Sequence, residues 1–482
     1  MTIEEILQED DLAKRVQYLQ SQANNTDEDI EAAEKQLDPN QHSVTDPNKR
    51  PKRKVKIVEK DANGTQTSKE EYKEVNRTPF SYQSDIVDKR VSFVFGNPLQ
   101  VTTASKNVNA DAVLNAIISV NKDVKIDSVN REMARTQYSF KEVAEYWFTL
   151  PGDRQNRYGF DSEIKIKCVL FKPQDGDRLY PFKDEFGDLV AFSRAYKVKE
   201  IDNTEIKYFE TWTKGSYTRL IENGSGWIED VSEYAKKADT YVKAIGKIPI
   251  AYSYQPNTEW YKVQRLCDRN DILASNHGDI NDRHSKPILK ARGVVTTKID
   301  DFVQMEGPES ELDYISWNNA TDSVESEFAR NEDKIYTSTR TPKTSFEALS
   351  GKGNILSGEG QKMAFMDAHL EVMNKMEIHD IHLTRRYNII KSILGVMNNS
   401  WKSSMSEINI DVKVTPYMMG GDTEKIQQLI DLYTNNMISL ETACKMNPLF
   451  EDALAEYNRI KEEKEANDKA AAGLDALQNS GE

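Results

Sequence analysis

The 482-residue chain reads as an α+β fold that is mainly helical. Three observations predict it. Apolar residues recur at helical spacing in long segments near both ends. Between residues 160 and 250 the pattern becomes consecutive short strands with no helix between them, as in an antiparallel sheet. Two helical stretches near the middle enclose a short strand-rich excursion, and the glycine-rich stretch after them is too long for an ordinary loop of a compact domain.

Taken in order, the first fifty residues are polar and acidic, with one short amphipathic helix (Ile3, Ile6, Leu7, Leu12), and read as a loosely packed arm. Residues 54–58 alternate charged and apolar, Asn63-Gly64 is a hairpin turn signal, and residues 69–75 return. The basic run 49–54 enters this hairpin. Glu59, Glu70, Glu71 and Glu74 balance it, so a solvated face is preferred to a nucleic-acid site.

A helix from Phe80 carries Ile86, Val87, Arg90, Val91 and Val94 and stops at Gly96-Asn97-Pro98. A second spans 110–121. A third is expected over 126–150, with Tyr138, Val143, Ala144 and Trp147 as its core face and Pro151-Gly152 as its stop. Residues 164–171, 192–201, 206–212 and 218–222 then read as strands.

A helix is expected from Trp260, capped by Asn257 or Thr258, with a thin stripe of Trp260, Val263, Leu266, Cys267 and Leu273. Residues 287–305 read as strand and turn, and 322–339 as helix. The stretch 341–360 holds Gly351, Gly353, Gly358 and Gly360. A methionine-rich helix follows over 361–394, then a strand over 408–414. The tail is helical, with Asn447-Pro448 expected to start its last helix and residues 461–482 expected to fray.

Composition narrows the function. Hydrophobic residues are 38% and charged residues 30%, and the mean hydropathy of -0.70 suits an extended or oligomeric protein with much wetted surface. No apolar run is long enough to span a bilayer. The acidic start, where a signal peptide carries base, leads to an expected cytoplasm-like setting. Cys168, Cys267 and Cys444 are scattered, which argues against a disulfide framework or a cysteine zinc site. A net charge of -15 opposes tight wrapping of nucleic acid, which needs many neutralised phosphates, and is compatible with DNA sliding past.

Signals of catalysis are weak. Ser350-Gly351-Lys352-Gly353 lacks the spacing and the hydroxyl of a phosphate-binding loop. His379 and His382 lie three apart on a helix but have no metalloprotease context and no evident third ligand. No serine has a nucleophile-elbow setting. No enzyme, cofactor or metal is expected.

The segment Arg77-Thr78-Pro79-Phe80-Ser81-Tyr82-Gln83-Ser84-Asp85-Ile86-Val87, continuing to Phe95-Gly96-Asn97-Pro98, resembles part of the SPP1-like family of tailed-phage portal proteins. Three further segments resemble that family in the same order: Gly246-Lys247-Ile248-Pro249-Ile250, then Glu332-Asp333-Lys334-Ile335-Tyr336 with Thr341-Pro342, then Ile438-Ser439-Leu440-Glu441-Thr442.

The resemblance implies a division of the chain. Residues 1–76 would be an N-terminal arm and hairpin, and 77–256 the wing. Residues 257–285 and 319–340 would be two stem helices, flanking a small β-containing clip at 286–318. Residues 341–357 would be a tunnel loop, 358–415 the long helix and returning strand of the wing, and 416–482 a helical crown and tail.

It also implies a function: a homo-oligomeric ring, twelve-fold in the virion, at one capsid vertex. The ring would conduct double-stranded DNA without sequence specificity during packaging and ejection. Its expected partners are the terminase large subunit, capsid and scaffolding proteins, and head-completion or adaptor proteins, with the host cytoplasm as the place of assembly. The tunnel-loop residues Lys343, Thr344, Ser345, Glu347, Lys352 and Asn354 would face DNA. The clip residues Lys290, Arg292, Lys298, Asp300 and Asp301 would meet partners. The loop departs from the family in being longer and richer in glycine. Another head–tail connector or baseplate protein is the alternative reading.

Overall fold

The computed structural model describes residues 2–60, 66–201, 203–224, 226–284, 288–299, 302–315, 321–343, 365–417, 422–447, 449–450 and 453–479. These fall into two compact units, one holding the described residues up to 343 together with 365–417, the other those after 417.

The first unit opens with three helices, α1 (Ile3–Leu7), α2 (Leu12–Gln20) and α3 (Asp27–Leu37). Thr2, Asp11 and Thr26 accept the first free N–H groups of each. The expected loose arm is in fact packed. Ile3, Ile6, Val16 and Leu19 are buried against Ala191, Phe209 and Leu220, because each short helix has one apolar stripe that needs a cover. A hairpin follows, β1 (Arg53–Lys60) on β2 (Gln66–Lys73), in register from Arg53 opposite Lys73 to Lys60 opposite Gln66. Lys54 pairs with Glu70 at 2.6 Å and Lys52 with Glu74, so this part of the basic run is neutralised across the strands. The Asn63-Gly64 turn lies outside the described residues.

Helix α4 (Tyr82–Phe95), strand β3 (Gln100–Thr102), helix α5 (Ala110–Val124) and helix α6 (Ile126–Phe140) come next. The expected helix over 126–150 is corrected here. Lys141 has φ +69 and turns the chain out of helix, and residues Glu142–Asn156 form strand β4. Its first six residues are all buried because β4 is central, between β11 (Ile250–Tyr254) and β5 (Asp161–Phe171). A strand covered on both faces shows no alternation, and Val143, Ala144 and Trp147 mimic helical spacing. Pro151-Gly152 does not stop a helix; it lies in β4 where the register with β5 shifts.

A five-stranded antiparallel meander follows: β6 (Arg178–Lys183), β7 (Leu189–Lys199), β8 (Glu205–Thr213), β9 (Tyr217–Asn223) and β10 (Gly226–Glu229). Helix α7 (Glu233–Ile245), capped by Ser232, packs its Ala235, Ala238, Val242 and Ile245 inward. This helix, β6 and β10 were not expected from the sequence.

Helix α8 is Gln264–His284; residues 259–263 are turns, so the helix starts later than expected. Strands β12 (Ile288–Ile299) and β13 (Phe302–Ile315) pair as a hairpin, and helix α9 is Thr321–Ser338. The long helix α10 (Met366–Met397) crosses the core, and β14 (Asp411–Lys413) returns to pair with β3. Trp147, Ile166, Ile390, Leu394 and Trp401 share one buried cluster with α5.

In the second unit α11 (Asp422–Thr434), α12 (Leu440–Met446) and α13 (Ala453–Asn479) follow one another. Ser439 caps α12, and Lys464 of α13 donates to the Tyr433 hydroxyl at 3.1 Å. Asn447 closes α12 instead of starting the last helix, which begins at Ala453 and continues to Asn479, inside the stretch expected to fray. The α+β, mainly helical class is as the sequence predicted, with about 50% of residues helical. No helix among the described residues is long and apolar enough to cross a membrane.

Candidate functional site

The excursion α8–β12–β13–α9 is built on a polar foundation. Asp271, Ser275, Asp279 and Asp282 recur every three or four residues, so they share one face of α8. The Phe80 N–H donates to Asp271 at 2.9 Å, the Thr78 N–H to Ser275 at 2.8 Å and the Asn76 N–H to Asp279 at 2.6 Å. The Asn76 amide reaches Asp282 at 2.6 Å.

Every second N–H of the 76–80 strap thus meets one turn of helix. The periods match, since two extended residues span about 6.7 Å and four helical residues about 6 Å. Pro79 falls at an odd position, where no N–H is needed. Gly278 lets the strap lie close, because a Cβ there would come within 3.0 Å of the Asn76 side chain.

Two cations lock the strap. Arg50 donates to the Asn76 carbonyl at 2.7 Å, Asn276 at 2.9 Å and Asp279 at 2.5 Å. His42 is buried, with one ring nitrogen 2.8 Å from Asp271 and the other 2.9 Å from the Gln36 carbonyl. Burial pushes the His42 pKa down, but the hydrogen bonds to Asp271 and the Gln36 carbonyl outweigh it, and the net shift is upward.

The base of the helix pair is a second hub. Buried Glu259 takes Arg90 at 3.2 Å and Lys375 at 2.5 Å, and Arg90 also donates to the Thr339 carbonyl at the end of α9. Between the helices, Asn331 donates to Asn270 at 3.1 Å and exposed Arg269 pairs with Glu327 at 2.9 Å, while the Phe80 ring of the strap lies tilted against Phe328.

Of the residues proposed from sequence to face DNA, Lys343 lies 3.6 Å from Asp333 and over the Tyr336 ring, anchored to α9. Thr344, Ser345, Glu347, Lys352 and Asn354 lie outside the described residues. Lys290, Arg292 and Lys298 sit on β12, opposite Asp313, Glu311 and Val303 of β13. The register shifts after Arg292 and after Val295, and such bulges bend a hairpin. Asp300 and Asp301 lie outside the described residues.

His379 and His382 turn to separate partners. His379 meets the Tyr138 hydroxyl at 2.7 Å and His382 meets Glu145 at 2.8 Å. Glu145 also takes Arg386 in a fork, and all three residues are fully buried. Burial raises the Glu145 pKa, but Arg386 and His382 outweigh it and hold the carboxyl well below the usual range. No group of three or more metal-ligating side chains occurs among the described residues.

Sequence reasoning missed the ladder on α8, because Asp, Ser and Asp at helical spacing look like an ordinary wet face. The available signal was the pairing of that periodicity with an upstream Asn-Arg-Thr-Pro-Phe segment.

The Phe-Gly-Asn-Pro element has a separate packing role. The Tyr417 N–H donates to the Phe93 carbonyl at 2.9 Å, and Asn97 reaches the Thr415 and Pro416 carbonyls. Gly96 permits that approach, since a Cβ would meet Tyr417 at 3.0 Å.

Among solved structures, a chain from the neck of an empty GTA particle computed with C6 symmetry is similar at a TM-score of 0.40 and 9% identity, over 76% of this chain and 88% of that one. No curated protein matches in sequence. The family model for the phage portal protein, SPP1 Gp6-like, matches residues 48–470, a span that holds the strap, the helix–hairpin–helix excursion and the long helix. The chain belongs to the SPP1-like family of phage portal proteins, a structural family and not a family of enzymes.

Proposed function

We propose that copies of this chain close into a ring, near twelve-fold, at the unique capsid vertex, and that the ring conducts double-stranded DNA inward during packaging and outward during ejection. The family match over 48–470 carries this reading. The excursion of α8, β-hairpin and α9 from one foundation supports it, because its two helices pair with each other and its two strands with each other. In this reading 257–285 and 319–340 are the stem and 286–318 the clip, which docks terminase during filling and head-completion proteins afterwards. Residues 77–256 and 358–415 are the wing, 341–357 the tunnel loop and 416–482 the crown and tail.

A net charge of -15 favours passage over grip, because a strongly basic lining would collect phosphates. The energy of packaging would come from the separate terminase.

Deleting residues 343–356 tests the conduit. Rings should still form, while packaging or DNA retention in an in vitro packaging reaction should fall at least tenfold. Unaltered packaging would remove the loop from the mechanism. Rings that support no packaging even with the intact loop would favour a different connector or baseplate role.

A further inference from the structure

We infer that neighbouring copies of this chain meet head to tail, with the acidic, apolar corner before α7 in one copy seated in the cationic groove beyond the end of α7 in the next. The inference rests on the ring reading above and names the surfaces that would close the ring.

The groove has a volume of about 960 Å³. Ile3 and Leu7 of α1, Ile248 and Ile381 of α10 line it, with Ile381 at 74% exposure. Lys214, Lys247 and Arg385 converge there. Among the described residues Lys247 donates to the Asn388 carbonyl at 3.4 Å and Arg385 to the Ile250 carbonyl at 2.6 Å. None of the three forms an ion pair among the described residues, although Glu4 and Asp380 also line the groove and Asp188 acts on Arg385. Burial lowers the Lys247 pKa, and the neighbouring Arg385 and Lys214 lower it further. The groove is an apolar slot in which three cations stand with two lining carboxylates, and because none of the three cations is ion-paired among the described residues, an incoming carboxylate would find a partner there.

The complementary surface is at the other end of α7. Val231 is 73% exposed, Tyr234 50% and Ile228 47%, an apolar corner between the exposed Glu229 and Glu233. Asp230 is already matched by Arg219 at 2.5 Å, while Glu233 has only a loose 3.4 Å contact with exposed Lys236. Corner and groove lie at opposite ends of a 13-residue helix, about 20 Å apart. Two different, complementary patches on each copy make a heterologous contact, which closes into a ring when the rotation allows. A patch that met itself would stop at a dimer.

The test is disulfide trapping in the full-length chain with V231C and I381C combined. The native Cys267 and Cys444 are buried and Cys168 is half-buried, so they provide a quiet background. Mild oxidation should give a ladder of covalent oligomers climbing to the ring in the double variant and none in either single variant. Lys247→Glu should raise the concentration for half-assembly about tenfold, and Glu233→Lys added to it should restore assembly. Each variant must first show the wild-type circular dichroism melt. Wild-type rings without a ladder, or a ladder that ends at dimers, would overturn this contact and leave the ring reading standing. A wild-type chain that stays monomeric would overturn the ring reading and the contact with it.

Discussion

The two longest helices of the first unit are anchored in opposite ways. Helix α10 is held by a side-chain network shut off from the surface: Arg386, Glu145 and His382 are all fully buried. Helix α8 is held by a ladder of short side chains that accept N–H groups from an extended strap. The first anchorage is all or nothing, because removing one charge strands another. The second is divided into bonds that are each replaceable. Helix α10 is therefore fixed by one buried charge cluster, whereas α8 is fastened along the 76–80 strap by several smaller ties, with the Arg90–Glu259–Lys375 hub before its first turn. That suits a part proposed to meet successive partners.

Arg386→Met should cost about 3–5 kcal/mol, since Glu145 would stay buried without its cation, read as a lower midpoint in chemical denaturation. The pH response sharpens it. The wild-type Glu145 carboxyl titrates below its ordinary 4.5, so its contribution is present above that pH and is lost as pH falls through the depressed value. In the variant acid should instead relieve the stranded carboxylate, and the loss should shrink towards pH 4.

Asp271→Asn should cost about 1–3 kcal/mol, because it weakens the acceptor shared by His42 and the Phe80 N–H. Ser275→Ala should cost about 1 kcal/mol, one neutral bond of the ladder.

His42 gives the strap a pH dependence of the opposite sign. Its folded pKa is raised above 6.5, so its stabilisation is full below 6.5 and is lost as pH rises through the folded value. Both ring nitrogens face acceptors, a carboxylate and a carbonyl, and only the imidazolium serves both. Hydrogen exchange in α3 should therefore quicken with pH across that window beyond its chemical rate, and His42→Gln should abolish the excess. The smallest effect is expected from Arg269→Ala. This exposed cross-helix pair should leave the melting temperature within about 2 °C.

Much of the fold was legible in sequence. The β1–β2 hairpin, α4, α5, most of the meander and the order helix–hairpin–helix carry strong periodicity. The failures have physical causes. Strand β4 is buried on both faces, so its period vanished. Helix α7 turns two alanines inward, which signal little. Residues 2–50 look like a polar arm because their apolar residues are few, yet Ile3, Ile6, Val16 and Leu19 are among the buried ones.

The foundation of the candidate site was illegible for a related reason. Asp271 and Ser275 are buried polar residues, and sequence patterning assigns such residues to water. Arg386 and Glu145 were lost among abundant charges. The Thr-Pro-Phe and Gly-Asn-Pro elements identified the family from sequence. In the structure they are packing devices, one strapping α8 and the other seating Tyr417.

A closed ring of copies is what the proposed conduit requires. The most direct measurement is the mass of the assembled wild-type protein, taken with images of the same particles down their symmetry axis. The expected result is a mass near twelve times 55.1 kDa and rings with an open centre wide enough for duplex DNA. A stable monomer or dimer at every concentration and ionic strength would contradict it.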